Sequence, residues 1–328
     1  MPLFWSRKGT TADITGPVRI DPAMGDAPAA RLRSAMAAAD WTTARGIIAG
    51  ASDAQDQSFY TKIAADVPGS EEWLPGVIRA DLTDVLALLV YGARAIVWAW
   101  EARTTARARY VSREQFEVFF ERLHVAEDAL QAVVRRDPDM VPAWHQLLTT
   151  AQGLRLGVDE ARRRFEEVDS RCPGHLFAHR QMLQMLCAKW YGSHEEMHAF
   201  ARESLARSPF GSPVGSLVAV AHLENWLHLG TDSQRAHYVR RRSVRDSLRD
   251  AADSSVCHPD YRRAPGWPEA HNDFAMAFCL AGDYPAAAEQ FRSVGAIATK
   301  LPWGYLGDDP GTTFAAYRRR ALQKAPAR

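Results

Sequence analysis

Residues 270–291 read AHNDFAMAFCLAGDYPAAAEQF. The first half places Phe274, Ala275, Phe278 and Leu280 on one apolar stripe, at the spacing of an amphipathic helix. Gly282 is free to take positive φ and so ends that helix. Asp283 offers a side-chain oxygen to cap a second helix, along which Ala287, Ala288 and Phe291 renew the stripe. Two short antiparallel helices with small residues at their contact make one αα-hairpin, which cannot bury its apolar face alone. The rest of the chain must supply more of them.

The string Ala281-Gly282-Asp283-Tyr284, with Ala287 and Phe291 three and seven positions after Tyr284, resembles the tetratricopeptide (TPR) repeat. His271 stands where that repeat prefers Trp, and Val294 where it prefers a second Ala. Longer strings resemble a group of TPR-like proteins from high-GC bacteria. They are Tyr91-Gly92-Ala93-Arg94 running to Trp98-Ala99-Trp100-Glu101-Ala102-Arg103, Tyr110 to Phe116, Trp190 with Gly192-Ser193-His194-Glu195 and Phe200-Ala201-Arg202, Ala221-His222-Leu223-Glu224, and Pro302-Trp303 with Tyr305-Leu306. These pieces cover most of residues 82–307. The resemblance implies a right-handed α-solenoid and brings no activity with it.

Composition bounds the class. With 47% hydrophobic and 24% charged residues among 328, the chain can bury a large core. A formal net charge of +1 gives no field to draw nucleic acid or an anionic membrane, so neither is expected as a partner. The four cysteines, Cys172, Cys187, Cys257 and Cys279, form no C-x-x-C pair and suit a reducing cytoplasm. The opening MPLFWSRKG has too short an apolar run for a signal peptide. Leu82–Trp100 is long and apolar but contains Asp84 and Arg94, which predicts a core helix and not a bilayer span.

Residues 1–28, rich in Pro and Gly, read as an irregular arm, with Phe4 and Trp5 available to dock. A first hairpin is expected over Ala29–Ala39 and Trp41–Ala49, with Asp40 as cap. Residues 50–80 stay ambiguous around Pro68-Gly69 and Pro75-Gly76. Leu82–Thr105 and Arg113–Arg136 form the next pair, the second opened by a Ser112/Gln115 capping box and stopped at Asp137-Pro138. Pro138, Pro173 and Pro209 lie 35 and 36 residues apart, near the TPR period of about 34. Units are therefore expected over 141–172, 175–208 and 212–252, the last as Val214–Leu229 and Arg235–Ala252. Residues 253–268 form a structured loop, and Asp309-Pro310 starts a terminal capping helix over 312–322.

The sharpest chemical motif is His194-Glu195-Glu196-Met197-His198, an H-E-x-x-H pattern. On a helix the two imidazoles share a face and can bind Zn²⁺, with Glu195 as base and Glu224 as the candidate third ligand. Against it, Ser193 reads as a helix cap. That puts His194 in the first turn, where Glu195 and Glu196 also suit the helix dipole. The proline register gives a second constellation on the first helix of each unit, the inner wall of a TPR fold. It sets His145, Arg180, Gln184 and Asn272 toward a concave groove, with His179, His222, Glu224 and His271 nearby. Such side chains either clamp a ligand or bond neighbouring helices. His175 with His179, and Cys257 with His258, are weaker metal signals. The Arg runs at 162–164, 240–242 and 318–320 read as solvated faces.

The expectation is an all-α, TPR-like right-handed α-solenoid of five or six hairpins in one domain, 29–328, with a C-terminal capping helix. Its expected role is a cytoplasmic scaffold that captures a protein or peptide partner, or a small polar ligand, without a cofactor. The alternative is a Zn-dependent hydrolase built on His194, His198 and Glu224.

Overall fold

The computed structural model describes residues 18–103 and 111–325. Its helices are α1 (Ala27–Ala37), α2 (Trp41–Ala49), α3 (Ala54–Ala65), α4 (Ser70–Ala80), α5 (Val85–Arg103), α6 (Arg113–Arg136), α7 (Val141–Gly153), α8 (Val158–Arg171), α9 (Leu176–Met185), α10 (His194–Arg207), α11 (Ser216–His228), α12 (Asp232–Val239), α13 (Arg242–Ser254), α14 (Pro268–Ala281), α15 (Tyr284–Val294) and α16 (Pro310–Lys324). Two short strands, β1 (Arg19–Ile20) and β2 (Ile297–Ala298), pair in parallel, Arg19 opposite Ile297. Among the described residues the protein is thus all-α apart from this clasp, as expected.

Local chemistry sets most helix ends. Gly282 sits at φ 76° after α14, and the Asp283 side chain accepts from the Ala286 amide. Asp40, Ser112 and Ser193 cap α2, α6 and α10, and the Ser112/Gln115 capping box is complete. Asp309 accepts from the Gly311 and Thr312 amides at the start of α16. Asp26 caps α1, which starts two residues earlier than expected, so helix begins inside the 1–28 arm. Residues 1–17, with Phe4 and Trp5, lie outside the described residues, as do 104–110.

The structure also differs from expectation in the number of helices and in one unit. The ambiguous stretch 50–80 holds two full helices, α3 and α4, which with the rest make sixteen among the described residues, more than five or six hairpins supply. The second helix of the 212–252 unit is broken into α12 and α13. Thr231 and Gln234 give α12 its own capping box, and Arg241 lies extended between the two.

Helices pack on their sequence neighbours: α5 on α6, α6 on α7, and so on through α14, α15 and α16. A second set of contacts joins α5 to α7, α7 to α9, α9 to α11 and α11 to α14. Neighbour-on-neighbour packing of this kind is compatible with a helical repeat. Close approach demands a small residue at Gly153, where a Cβ would stand 2.5 Å from Leu123 Cδ1. Helix α3 leaves this order and lies against α5, α7 and α9. Its polar side chains make that possible: Gln55 Oε1 accepts from the Leu176 amide at 2.8 Å, and Ser58 Oγ meets His175 Nε2 at 2.9 Å. Two apolar clusters result, one around Leu32, Phe59, Leu89 and Leu130, the other around Met182, Leu217, Phe274 and Trp303; Trp144 touches both.

Helix α5 is long and apolar enough to cross a membrane by length and composition, and 61% of that window is buried inside the fold. Its Arg94 is fully buried and answered by Glu71 Oε2 at 2.7 Å and Glu101 Oε2 at 2.8 Å. The Arg runs are not uniformly solvated. Arg164 is buried, reaching Glu127 at 2.7 Å, and Arg318 is buried with Nη1 donating to Gly295 O. Removing one partner of a buried pair strands the other charge. Arg94→Leu should therefore cost about 3–5 kcal/mol in urea unfolding. A loss of only a few tenths, the value of an exposed pair, would contradict the burial of this charge.

Candidate functional site

Five of the eight expected groove residues are spent inside the fold. His179 Nδ1 meets His175 O at 3.0 Å, with its Nε2 3.6 Å from Asp169. His222 Nδ1 meets the Tyr238 hydroxyl at 2.7 Å and its Nε2 meets Ser247 Oγ at 3.2 Å. His271 Nδ1 meets Gln290 Oε1 at 2.8 Å. Asn272 donates to Pro268 O and Ile297 O and accepts from Trp303 Nε1 at 2.6 Å, tying β2 and the Trp303 turn to α14. His145 is buried beside His175, ring centres 5.4 Å apart, and its Nδ1 has no hydrogen-bond partner. The broken helix after α11 serves this network, because the C-terminal part of α12 carries Tyr238 to His222.

The other three, Arg180, Gln184 and Glu224, line open space. Arg180 and Gln184 are four apart on α9 and so share a face. With Glu224 of α11, Asp273 of α14 and Tyr305 they wall a cavity of about 210 Å³, bordered by Leu301. Arg180 and Leu301 also border a cavity of about 380 Å³, where Ile20, Lys62, Glu269 and Lys300 join them. Glu224 likewise borders a third, of about 430 Å³, with Lys189, His194 and His228. Arg180 and Leu301 border the first two and Glu224 the first and third, and the three cavities are together termed the trench.

The trench wall alternates in charge. Lys62 Nζ is paired with Glu269, Arg180 Nη1 with Asp273 at 2.7 Å, and Lys189 Nζ with Glu224 at 2.7 Å. Gln184 Nε2 donates to Glu224 Oε1 at 2.8 Å. Burial pushes the Asp273 carboxyl up to about 6, with Arg180 pulling it back only in part. Burial opposes charge on Arg180 as well, but Asp273 and Glu269 outweigh it and hold the guanidinium above its usual range. Burial also raises Glu269, yet Lys62 and Arg180 prevail and hold it low. Tyr305 is raised by burial and by Glu224. These are charges fixed in place by one another, with edges facing open volume.

The H-E-x-x-H residues diverge. Ser193 caps α10, so His194 is its first residue, as the cap predicts. His198 Nε2 faces the Tyr238 hydroxyl at 3.2 Å and Asn225 Nδ2 at 3.3 Å, with its ring on His222. His194 lies instead against His228, ring centres 4.7 Å apart. Glu224 is turned to Gln184 and Lys189. Among the described residues no group of three or more His, Cys, Asp or Glu side chains is gathered to hold a metal ion. His194, His198 and Glu224 are therefore not assembled as one ligand set. His175 caps α9, accepting from the Ala178 amide, and His258 stacks on Phe210 rather than joining Cys257 in a site.

Sequence reasoning missed Lys62, Glu269, Asp273, Leu301, Tyr305 and His228. One signal was present: Glu269 and Asp273 are four apart on a helix that is otherwise almost wholly apolar or small, an unusual place for two acids. Lys62 and Leu301 reach the trench only through long-range packing. No protein-family model matches the sequence, and no curated protein matches it.

The buried imidazoles make acid stability a test of this geometry. Burial lowers His175, His198 and His271 to about 4 and His222 to about 3. The unfolded chain protonates these groups below about 6.5, while the folded one does not. Their contribution is thus complete above that pH and drains away as pH falls from about 6.5 toward 4, at up to about 1.4 kcal/mol per unit for each. Asp273, raised to about 6 by burial, works in the opposite direction, as does Asp56, which burial also raises, and the lowered imidazoles outnumber these two. Urea midpoints measured across this range should fall steeply on the acid side. A flat profile between about pH 6.5 and 5 would mean the imidazoles are solvated.

Proposed function

We propose that the chain is a TPR-like right-handed α-solenoid serving as a cytoplasmic binding scaffold. Its ligand is a short extended peptide segment of a partner protein, or a small polar molecule of the same zwitterionic chemistry. The observation that carries this reading is the trench, three adjoining cavities joined at Arg180 and Glu224. Its paired charges can each exchange one hydrogen bond for a ligand's amide, carboxylate or amine, and its apolar border of Ile20 and Leu301 covers a chain between them. The TPR-like packing of α5 to α15 supports a concave face made by α5, α7, α9, α11 and α14. Helix α3 lies on part of that face, which favours a short ligand over a long helix. Glu269, Asp273 and Glu224 are each tied to a cation, an arrangement suited to recognition more than to proton transfer.

Leu301 is 52% exposed and borders two of the cavities, so Leu301→Trp should fill the trench without disturbing the core. Immobilised wild-type protein should retain a subset of a random tetrapeptide library. The retained peptides should bind Leu301→Trp at least about tenfold more weakly, a difference of about 1.4 kcal/mol, while Phe210→Ala, at another exposed hydrophobic residue, leaves binding unchanged. Equal binding by Leu301→Trp would refute a ligand seated in the trench.

A further inference from the structure

The third cavity carries chemistry that peptide recognition does not use. His194 opens α10 and His228 closes α11, and their rings meet at an interplanar angle of 74° with centres 4.7 Å apart. His194 Nδ1 is buried and has no hydrogen-bond partner, although buried ring nitrogens are almost always satisfied. Both residues border a cavity of about 430 Å³, and Glu224 is on the same wall. Two imidazoles bound to one tetrahedral ion, with metal–nitrogen bonds of about 2 Å, have ring centres about 5 Å apart. The observed spacing is within a few tenths of that, and χ2, a soft torsion for imidazole, leaves both rings free to turn. His228 ends its helix, where the dipole favours a cation.

We propose that His194 and His228 form a two-imidazole site for a borderline-soft divalent transition metal ion such as Zn²⁺. The remaining coordination positions open on the cavity and are filled by water, with Glu224 as the nearest carboxylate on its wall. This pair differs from the H-E-x-x-H pair: its second imidazole comes from α11, and His198 stays with Tyr238 and Asn225. Only two protein ligands are supplied, so the site is exchangeable and of micromolar strength, not a structural centre. It does not depend on the trench binding peptide.

The test is calorimetric titration of the tag-free full chain with ZnCl₂ alone. One saturable ion per chain is expected. His228→Ala, at an exposed position, should weaken binding at least about tenfold, and His194→Ala likewise. His198→Gln and His258→Ala should keep the wild-type affinity. Thermal melting of each variant without metal reports whether it is folded; if His194→Ala is not, His228→Ala decides alone. No saturable binding up to about 1 mM Zn²⁺ overturns the site, since that is weaker than about 4 kcal/mol of association. So does a His228→Ala variant that binds as well as wild type, or a loss confined to His198→Gln.

Discussion

Arg180 crosses from α9 to Asp273 of α14, and two charges meet at 2.7 Å with the carboxylate almost wholly out of water. Such a pair is tolerable only when its geometry is held, because either charge left alone costs several kcal/mol. Lys62 does the same for Glu269 one turn earlier on α14, and thereby ties α3 to the C-terminal half. The positions of three helices from distant parts of the chain are fixed by these two pairs. The space beside them, bounded by Leu301 and Ile20, follows from that fixation. Preorganised charge next to open volume is what a ligand site requires.

The same accounting explains why most polar residues on these helices are not ligand groups. A helical array that packs on both sides has few exits for polar side chains, so each must find a partner within it. Asn272 satisfies three groups at once, and His222 sits between Tyr238 and Ser247. Arg180 keeps an exposed edge beside Asp273, whereas Glu224 is as buried as His222 and is bonded to Gln184 and Lys189.

What the sequence made legible was local. The Gly282 turn, the caps at Asp40, Ser112, Ser193, Asp283 and Asp309, and the span of α6 follow from residues within a turn or two of each boundary. The all-helical class followed from their repetition. Helices α3 and α4 were hidden because Pro68, Gly69 and Pro75 masked them, although Pro75 lies within α4, and because α3 buries Asp56, Ser58 and Thr61 on the side meeting other helices. The β1–β2 clasp joins residues far apart through two positions each, too short for any alternation to register. The repeat register points Arg180 and Gln184 to a groove and sets Glu224 nearby, and all three border one cavity. Lys62, Leu301 and His228 do not follow from it, since only tertiary packing brings them there. The H-E-x-x-H spacing was a true helical adjacency, but its two rings turn to different neighbours.

The most direct test of the central claim is a crystal structure of the protein soaked with a mixture of short peptides recovered by the immobilised chain. The account predicts continuous ligand density between Arg180 and Glu224, under Leu301 and Tyr305, with the Arg180–Asp273 pair still in place. Density on another face, with the trench closed by its own side chains, would contradict it.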